Sequence, residues 1–210
     1  MENNKLRRYT NLPSLLCMLT TKEITLLDPK SWDDKNDSYF LDIYTNKRKL
    51  AKTLALCMTK KNETYHHWSV FTQKDSGVCI VFDFNKFKAH LDEQENIIHG
   101  HVSYMTLKQI RRTQTINIDK LPFLKRHAFT DESEYRLIYP SSEDIVYKKI
   151  PLPINAISRI SVSPWMPKPF FEVIRKTVNN ISGCKNIRVS SSSLIDNTTW
   201  KEFGDNIKIS

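Results

Sequence analysis

Glycine is scarce: four in 210 residues, at Gly77, Gly100, Gly183 and Gly204, with no two close together. A Rossmann fingerprint needs three within six residues, because the backbone must turn tightly and approach a pyrophosphate; a Walker loop needs Gly-Lys-Ser/Thr. Neither is present, so a nucleotide would be handled by another route. H-E-x-x-H and G-x-S-x-G are also missing, which removes further large enzyme classes. Cys17, Cys57, Cys79 and Cys184 include no C-x-x-C pair. With no export signal they are expected to be reduced and mostly buried thiols. No uncharged apolar run approaches the roughly 18 residues of a membrane span. Met1 to Lys5 are polar and lead into Leu6-Arg7-Arg8 without an apolar signal core. The expectation is a soluble, cytoplasmic protein with no membrane partner.

What the chain does have is positive charge. Lys and Arg number 32 against 23 Asp and Glu, a net +9, and a 40% hydrophobic, 10% aromatic composition supports a sizeable core. At this length a single domain over 1–210 is expected. The basic residues gather in Lys47-Arg48-Lys49 with Lys52, in Lys60-Lys61, at Lys108, Arg111 and Arg112, and in Lys125-Arg126. Any one run is accounted for by a solvated face. Together they point to an anionic partner, nucleic acid among the candidates.

Apolar spacing predicts a short strand over Lys5–Tyr9, then a helix capped by Asn11 with Pro13 in its first turn. Strands follow at Ile24–Leu27 and Thr53–Thr59, around an acidic turn at Trp32–Asp37 and a basic helix over Tyr44–Lys52. Thr64–Thr72 reads as a short helix or loop. Val78–Phe82, entered through Gly77, is the clearest strand. A helix over Phe84–Leu91 precedes a strand at His101–Met105 and a polar, mobile segment from Leu107 to Leu124. Tyr135–Tyr139 reads as a strand with Ile145–Ile150 as its hairpin partner. Strands at Ile157–Val162 and Ile187–Val189 flank a helix over Lys168–Asn180, whose Phe170, Phe171, Ile174 and Val178 share a face. The fold class is α+β, with mixed or antiparallel sheets and packed helices.

The sharpest constellation is Glu132-Ser133-Glu134-Tyr135-Arg136. On a strand, Glu132, Glu134 and Arg136 would share a face. Two carboxylates there repel, which can raise one pKa and make a general base. An exposed charge pair is the plainer account. In Tyr65-His66-His67-Trp68-Ser69, adjacent histidines point apart and make a poor metal pair, and Trp68 is either a stacking surface or a core residue. His99-Gly100-His101 reads as turn and strand. An arginine of Arg7-Arg8 could clamp a diphosphate, or both could be solvated. Asp33, Asp34 and Asp37 lack calcium-loop spacing and read as a capped turn.

Several of these segments, in order, resemble the bacterial family catalogued as domain of unknown function 2971. They are Arg8-Tyr9-Thr10 before a Leu-rich helix, Leu26 to Asp37, Leu56-Cys57-Met58-Thr59, Trp68 with Phe71, Gly77 to Asp83, Glu132 to Ile138, and Ser163-Pro164-Trp165. Phe71 stands where that family often has tyrosine. More distantly, the order of a first-strand Tyr-Thr, a Leu-rich helix, a central aromatic segment and a late strand glutamate resembles the ADP-ribosyltransferase fold. That resemblance implies NAD as substrate and no metal. It implies Glu134 as the catalytic acid residue, Glu132 as its helper, Arg8 on the phosphates, Tyr9 and Trp68 framing nicotinamide, and Arg136 in the binding site. A toxin or phage-defence role with a nucleic acid or protein acceptor would fit. Two other classes stay open: a metal-dependent nuclease using Asp83 with Glu132 or Glu134, and a non-catalytic nucleic-acid-binding or interaction module.

Overall fold

The computed structural model describes residues 4–207; Met1 to Asn3 of the polar opening lie outside the described residues. The first strand, β1 (Lys5–Asn11), runs directly into α1 (Leu12–Thr21). Asn11 Oδ1 accepts from the Ser14 amide at 2.9 Å, and Pro13 sits where no intrahelical donor is needed, so the cap expected from sequence forms. Leu15, Met18 and Leu19 are its buried stripe. Lys22, left-handed at φ 58°, stops the helix and starts β2 (Glu23–Leu27).

The acidic stretch after β2 is a cap as expected, with Asp34 Oδ1 taking the Asn36 amide at 3.0 Å, but the helix it starts is longer and earlier than the basic run implied. α2 spans Lys35–Lys47 and buries Asp37 inside its first turn. Then come β3 (Lys52–Thr59), α3 (Tyr65–Phe71), β4 (Gly77–Asp83) and α4 (Phe84–Asp92). A Cβ on Gly77 would lie 2.5 Å from Thr72 Oγ1, so the entry to β4 requires glycine.

The strand expected over His101–Met105 is two, β5 (Ile98–His101) and β6 (Ser103–Met105). They part at Val102, whose amide donates to Glu134 O at 3.0 Å. The segment expected to be mobile carries α5 (Leu107–Arg112), held by a reciprocal Thr106–Gln109 capping box, and a 3-10 turn over Ile118–Phe123. β7 (Leu124–Arg126) pairs with β6. β8 (Glu134–Ser141) and β9 (Tyr147–Pro151) do not form the expected hairpin. β9 pairs with β2, placing Ile150 opposite Ile24, and β8 has β3 and β5 on its two edges. Both edges of β8 being taken is what sends β9 across the molecule. β10 (Ile157–Val162), α6 (Lys168–Asn180), β11 (Val189–Ser191) and α7 (Thr198–Asn206) complete the chain. The last strand lies two residues beyond its expected place, and α7 had no expectation. On α6, Ile174 and Val178 are buried but Phe170 is 63% exposed, a narrower stripe than the spacing implied.

Among the described residues β11, β10, β4, β1, β3, β2 and β9 follow one another across a mixed sheet, with β8 and β5 stepping off β3. This is an α+β fold. One face buries Leu6, Leu56, Ile80 and Leu137 against α1, α4 and α6, while the other puts Cys79 and Val81 under Trp68. Cys79 and Cys184 are buried as expected; Cys57 is half-buried and Cys17 is exposed, and all four are free. No helix among the described residues is long and apolar enough to cross a membrane.

Candidate active site

The sheet forks at β3. Its edge facing β1 pairs at Arg7–Thr59, and the same edge meets β2 at Leu27–Ala55; between these points the two neighbours diverge. A cavity of about 160 Å³ opens at the β1 end of this fork. β1 supplies Arg7 and Tyr9, β3 supplies Cys57 and Thr59, α3 supplies His67 and Phe71, and Glu132 and Glu134 close the wall.

The carboxylate wall is a buried charge network. Arg136, fully buried, forks onto Asp37 with Nη1–Oδ1 at 2.9 Å and Nη2–Oδ2 at 2.7 Å, reaches Glu134 Oε2 at 2.5 Å, and donates to Pro122 O. Trp32 lies across its plane, 5.0 Å from ring centre to guanidinium carbon. Lys125 Nζ bonds Glu132 at 2.6 Å and lies 3.5 Å from Asp37 and 3.7 Å from Glu134. Three carboxylates thus share two cations. Burial pushes the Glu134 pKa up, but Arg136, Lys125 and the Cys57 thiol overcome it and hold the carboxyl below its ordinary value. For Glu132 burial prevails over Lys125, and the neighbouring Glu134 and Asp37 add to it, so its pKa is raised. One acid is kept ionised and the other is poised nearer neutrality.

The two acids do not converge by strand alternation. Glu132 ends a 3-10 turn and β8 begins at Glu134, with Ser133 between them in the left-handed region at φ 44°. That reversal turns the Glu132 side chain onto Lys125. Its carbonyl accepts from Thr59 Oγ1 at 2.6 Å and meets His67 Nε2 at 3.3 Å. A carbonyl can only accept, so Nε2 carries the His67 proton and Nδ1 takes the Thr64 hydroxyl at 2.6 Å. Burial holds the His67 pKa below its ordinary value, so the ring is neutral near pH 7.

The opposite wall is aromatic. Tyr9 and His67 stack with centroids 5.3 Å apart and planes at 29°, and Phe71 lies 5.7 Å from His67. Trp68 stands behind Tyr9, edge-on at 5.2 Å, wholly buried, with Nε1 donating to Glu63 at 2.7 Å. Trp68 therefore supports the Tyr9 ring and is not among the residues that line the cavity.

Of the residues singled out from sequence, Glu134, Glu132 and Tyr9 meet at the cavity. Arg136 lies behind Glu134 and holds it. Arg8 leaves β1 on the face opposite Arg7 and Tyr9; it is half-buried, with Nε buried and no hydrogen-bond acceptor among the described residues. Burial lowers its pKa to about 10, and the Cys57 thiol acts on it electrostatically. Asp83 is apart from the acids: it caps α4 by accepting from the Lys86 amide at 3.1 Å. Sequence reasoning weighed Arg7 and His67 but chose Arg8 and Trp68 instead, and it missed Lys125 and Asp37 as site residues. A signal existed for Arg7, because it shares strand parity with Tyr9. For Lys125 and Asp37 there was none, since each comes from another element. His99 bonds the Tyr135 hydroxyl at 2.6 Å and Asp92 at 3.1 Å, apart from the cavity lining. Among the described residues no group of three or more His, Cys, Asp and Glu is arranged to hold a metal.

Residues 67–137 match the model of a family described as Protein of unknown function (DUF2971), the stretch from His67 to just beyond Arg136. No curated protein matches the chain. Similar solved structures include Thermus sp. 2.9 DarT in complex with NAD+, at 12% identity over 91% of this chain and 96% of that chain, TM-score 0.46. The same protein in complex with ADP-ribosylated ssDNA gives 12% identity over 91% and 95%, TM-score 0.47.

Proposed function

We propose that the chain is an ADP-ribosyltransferase-like enzyme that takes NAD as substrate and modifies a nucleic acid, in a toxin or phage-defence setting. One observation carries this reading: Glu134, buried and held ionised, faces a small cavity whose other wall is Tyr9, His67 and Phe71. A fixed carboxylate in a water-poor site stabilises a cation that develops in the transition state, without reorganising solvent. Breaking the ribose–nicotinamide bond of NAD creates such a cation at the sugar. The bond's electron pair leaves on the nicotinamide nitrogen, and the acceptor nucleophile attacks the sugar carbon.

The raised pKa of Glu132 fits it to take the acceptor's proton as that bond forms. Tyr9 and Phe71 offer ring faces for the leaving group, with Trp68 fixing Tyr9 from behind. Arg7, which lines the cavity, takes the place by the substrate's phosphates that was expected for Arg8, and Arg136 acts through Glu134. The +9 net charge supports an anionic acceptor. The cations that fill the space among Asp37, Glu132 and Glu134 occupy the place a nuclease would give to metal.

The test is NAD consumption, followed by release of nicotinamide with and without single-stranded DNA. Glu134→Gln is expected to lower turnover at least about a hundredfold, with NAD still bound. Glu132→Gln should spare hydrolysis and slow transfer. Full turnover by a folded Glu134→Gln protein would end this reading.

A further inference from the structure

We infer that His67, Thr59 and Tyr104 are positioning residues: they clamp the main chain on both sides of Ser133, and the clamp sets where Glu132 and Glu134 stand relative to each other. The role rests on the function proposed above, which gives the two acids separate tasks. Ser133 is left-handed at φ 44°, a conformation that a residue with a Cβ keeps only where its surroundings hold it. Strand pairing does not reach across the reversal, because β8 begins at Glu134, opposite Thr59.

Side chains from separate elements do reach across it. Thr59 Oγ1, from β3, donates to the Glu132 carbonyl at 2.6 Å, and His67 Nε2, from α3, donates to the same oxygen at 3.3 Å. On the other side, the Tyr104 hydroxyl, from β6, accepts the Glu134 amide at 2.8 Å. Between them the Ser133 carbonyl takes the Lys60 amide at 3.2 Å. Thr59 and His67 are buried, so little water is at hand to replace these bonds. The reversal cannot rotate without leaving a main-chain group unpaired.

His67 is the member that touches both walls. Its edge holds the Glu132 carbonyl, its face stacks on Tyr9 with centroids 5.3 Å apart, and the Thr64 hydroxyl fixes the ring by donating to Nδ1. One ring thus ties the acid wall to the aromatic wall. The Glu132 carboxyl placed by this turn lies among Lys125 of β7, Asp37 of α2, Tyr104 of β6 and Glu134. A shift of the turn therefore changes how readily that carboxyl takes a proton. The two tasks of His67 can be separated. Phenylalanine keeps a ring against Tyr9 and loses the N–H; glutamine carries an amide N–H where Nε2 stands and loses the ring.

Two readouts on the full chain test the clamp. The first needs no turnover: the carbon-13 titration of the Glu132 carboxyl by nuclear magnetic resonance. His67→Phe is expected to move its midpoint by at least about half a pH unit, and His67→Gln to stay closer to wild type than that. The second is the partition of NAD between transfer to single-stranded DNA and hydrolysis, with kcat and KM separated. His67→Phe should lower the transfer-to-hydrolysis ratio about tenfold through kcat, and His67→Gln should recover most of that loss. Should His67→Phe fail to fold, Tyr104→Phe, which loses only a hydroxyl, carries the same expectation. An unchanged ratio, equal losses in His67→Phe and His67→Gln, or an unmoved Glu132 titration overturns the clamp. If wild type never consumes NAD while the titration still moves in His67→Phe and not in His67→Gln, the clamp stands and the enzyme reading falls.

Discussion

Arg136, behind the cavity wall, and three arginines of β1 and β10, of which Arg7 alone lines the cavity, live by opposite rules. Arg136 has its terminal nitrogens bonded to a forked Asp37, Glu134 and a backbone carbonyl, with Lys125 completing the balance, although its buried Nε has no acceptor. Arg7, Arg8 and Arg159 share that buried, unpartnered Nε, but no carboxylate is bonded to any of them; Glu63 acts on Arg7 only through its charge. The first set is closed on itself, so its charge serves to hold Glu134 ionised and still. The second set has no bonded counter-charge, and only the terminal nitrogens of Arg7 are answered, by the Lys61 carbonyl and Asn62 Oδ1. Burial alone does not tell these arginines apart; a bonded carboxylate does.

The comparison can be broken most forcefully at Asp37. Asp37→Asn leaves Arg136 and Lys125 short of one carboxylate and is expected to lower unfolding free energy by about 3–5 kcal/mol, read from urea denaturation. A loss under about 1 kcal/mol would mean that the network is not the closed unit described.

A smaller effect comes from His67, which lies between the two sets. Its folded pKa is below the unfolded value of about 6.5. As pH falls from 7 the unfolded chain takes a proton that the folded one refuses, so stability drops by at most about 1.4 kcal/mol per pH unit from this residue. His99 is lowered in the same direction and adds its own share. Thermal melts of His67→Gln between pH 7 and 5 should fall less steeply than wild type; parallel curves would contradict the neutral, buried ring.

The smallest effect sharpens the contrast by its sign. Arg8→Met removes a half-buried cation that has no acceptor, and stability should stay level or rise by up to about 1 kcal/mol. A clear loss would show that Arg8 has a partner after all.

Much of this was readable in the chain. Asn11 and Pro13 announce α1 because capping is local chemistry, and Gly77 to Phe82 announces β4 because a fully apolar run tolerates little else. Glu132 and Glu134 stood out by spacing, yet the reason given for their convergence was wrong, since Ser133 reverses the backbone where alternation was assumed. Arg8 and Tyr9 were expected at one cavity although neighbours on a strand face apart; parity pointed to Arg7. Lys125 and Asp37 were invisible as partners because their contact with Glu132 and Arg136 is made by tertiary folding, across 7 and 99 positions. The β9 pairing was missed for a similar reason: nearness in sequence favoured β8, whose edges were already filled by β3 and β5.

The fork at β3 has an effect that no side chain carries. Between Ala55 and Thr59 that edge of the strand has neither β1 nor β2 against it, and a strand edge without a neighbour presents main-chain donors and acceptors. Recognition through peptide groups is indifferent to residue identity. Alanine scanning of the fork would pass over it in silence, whereas replacing a single amide by an ester would not. A ligand that met this edge would be held by groups that no side-chain substitution removes.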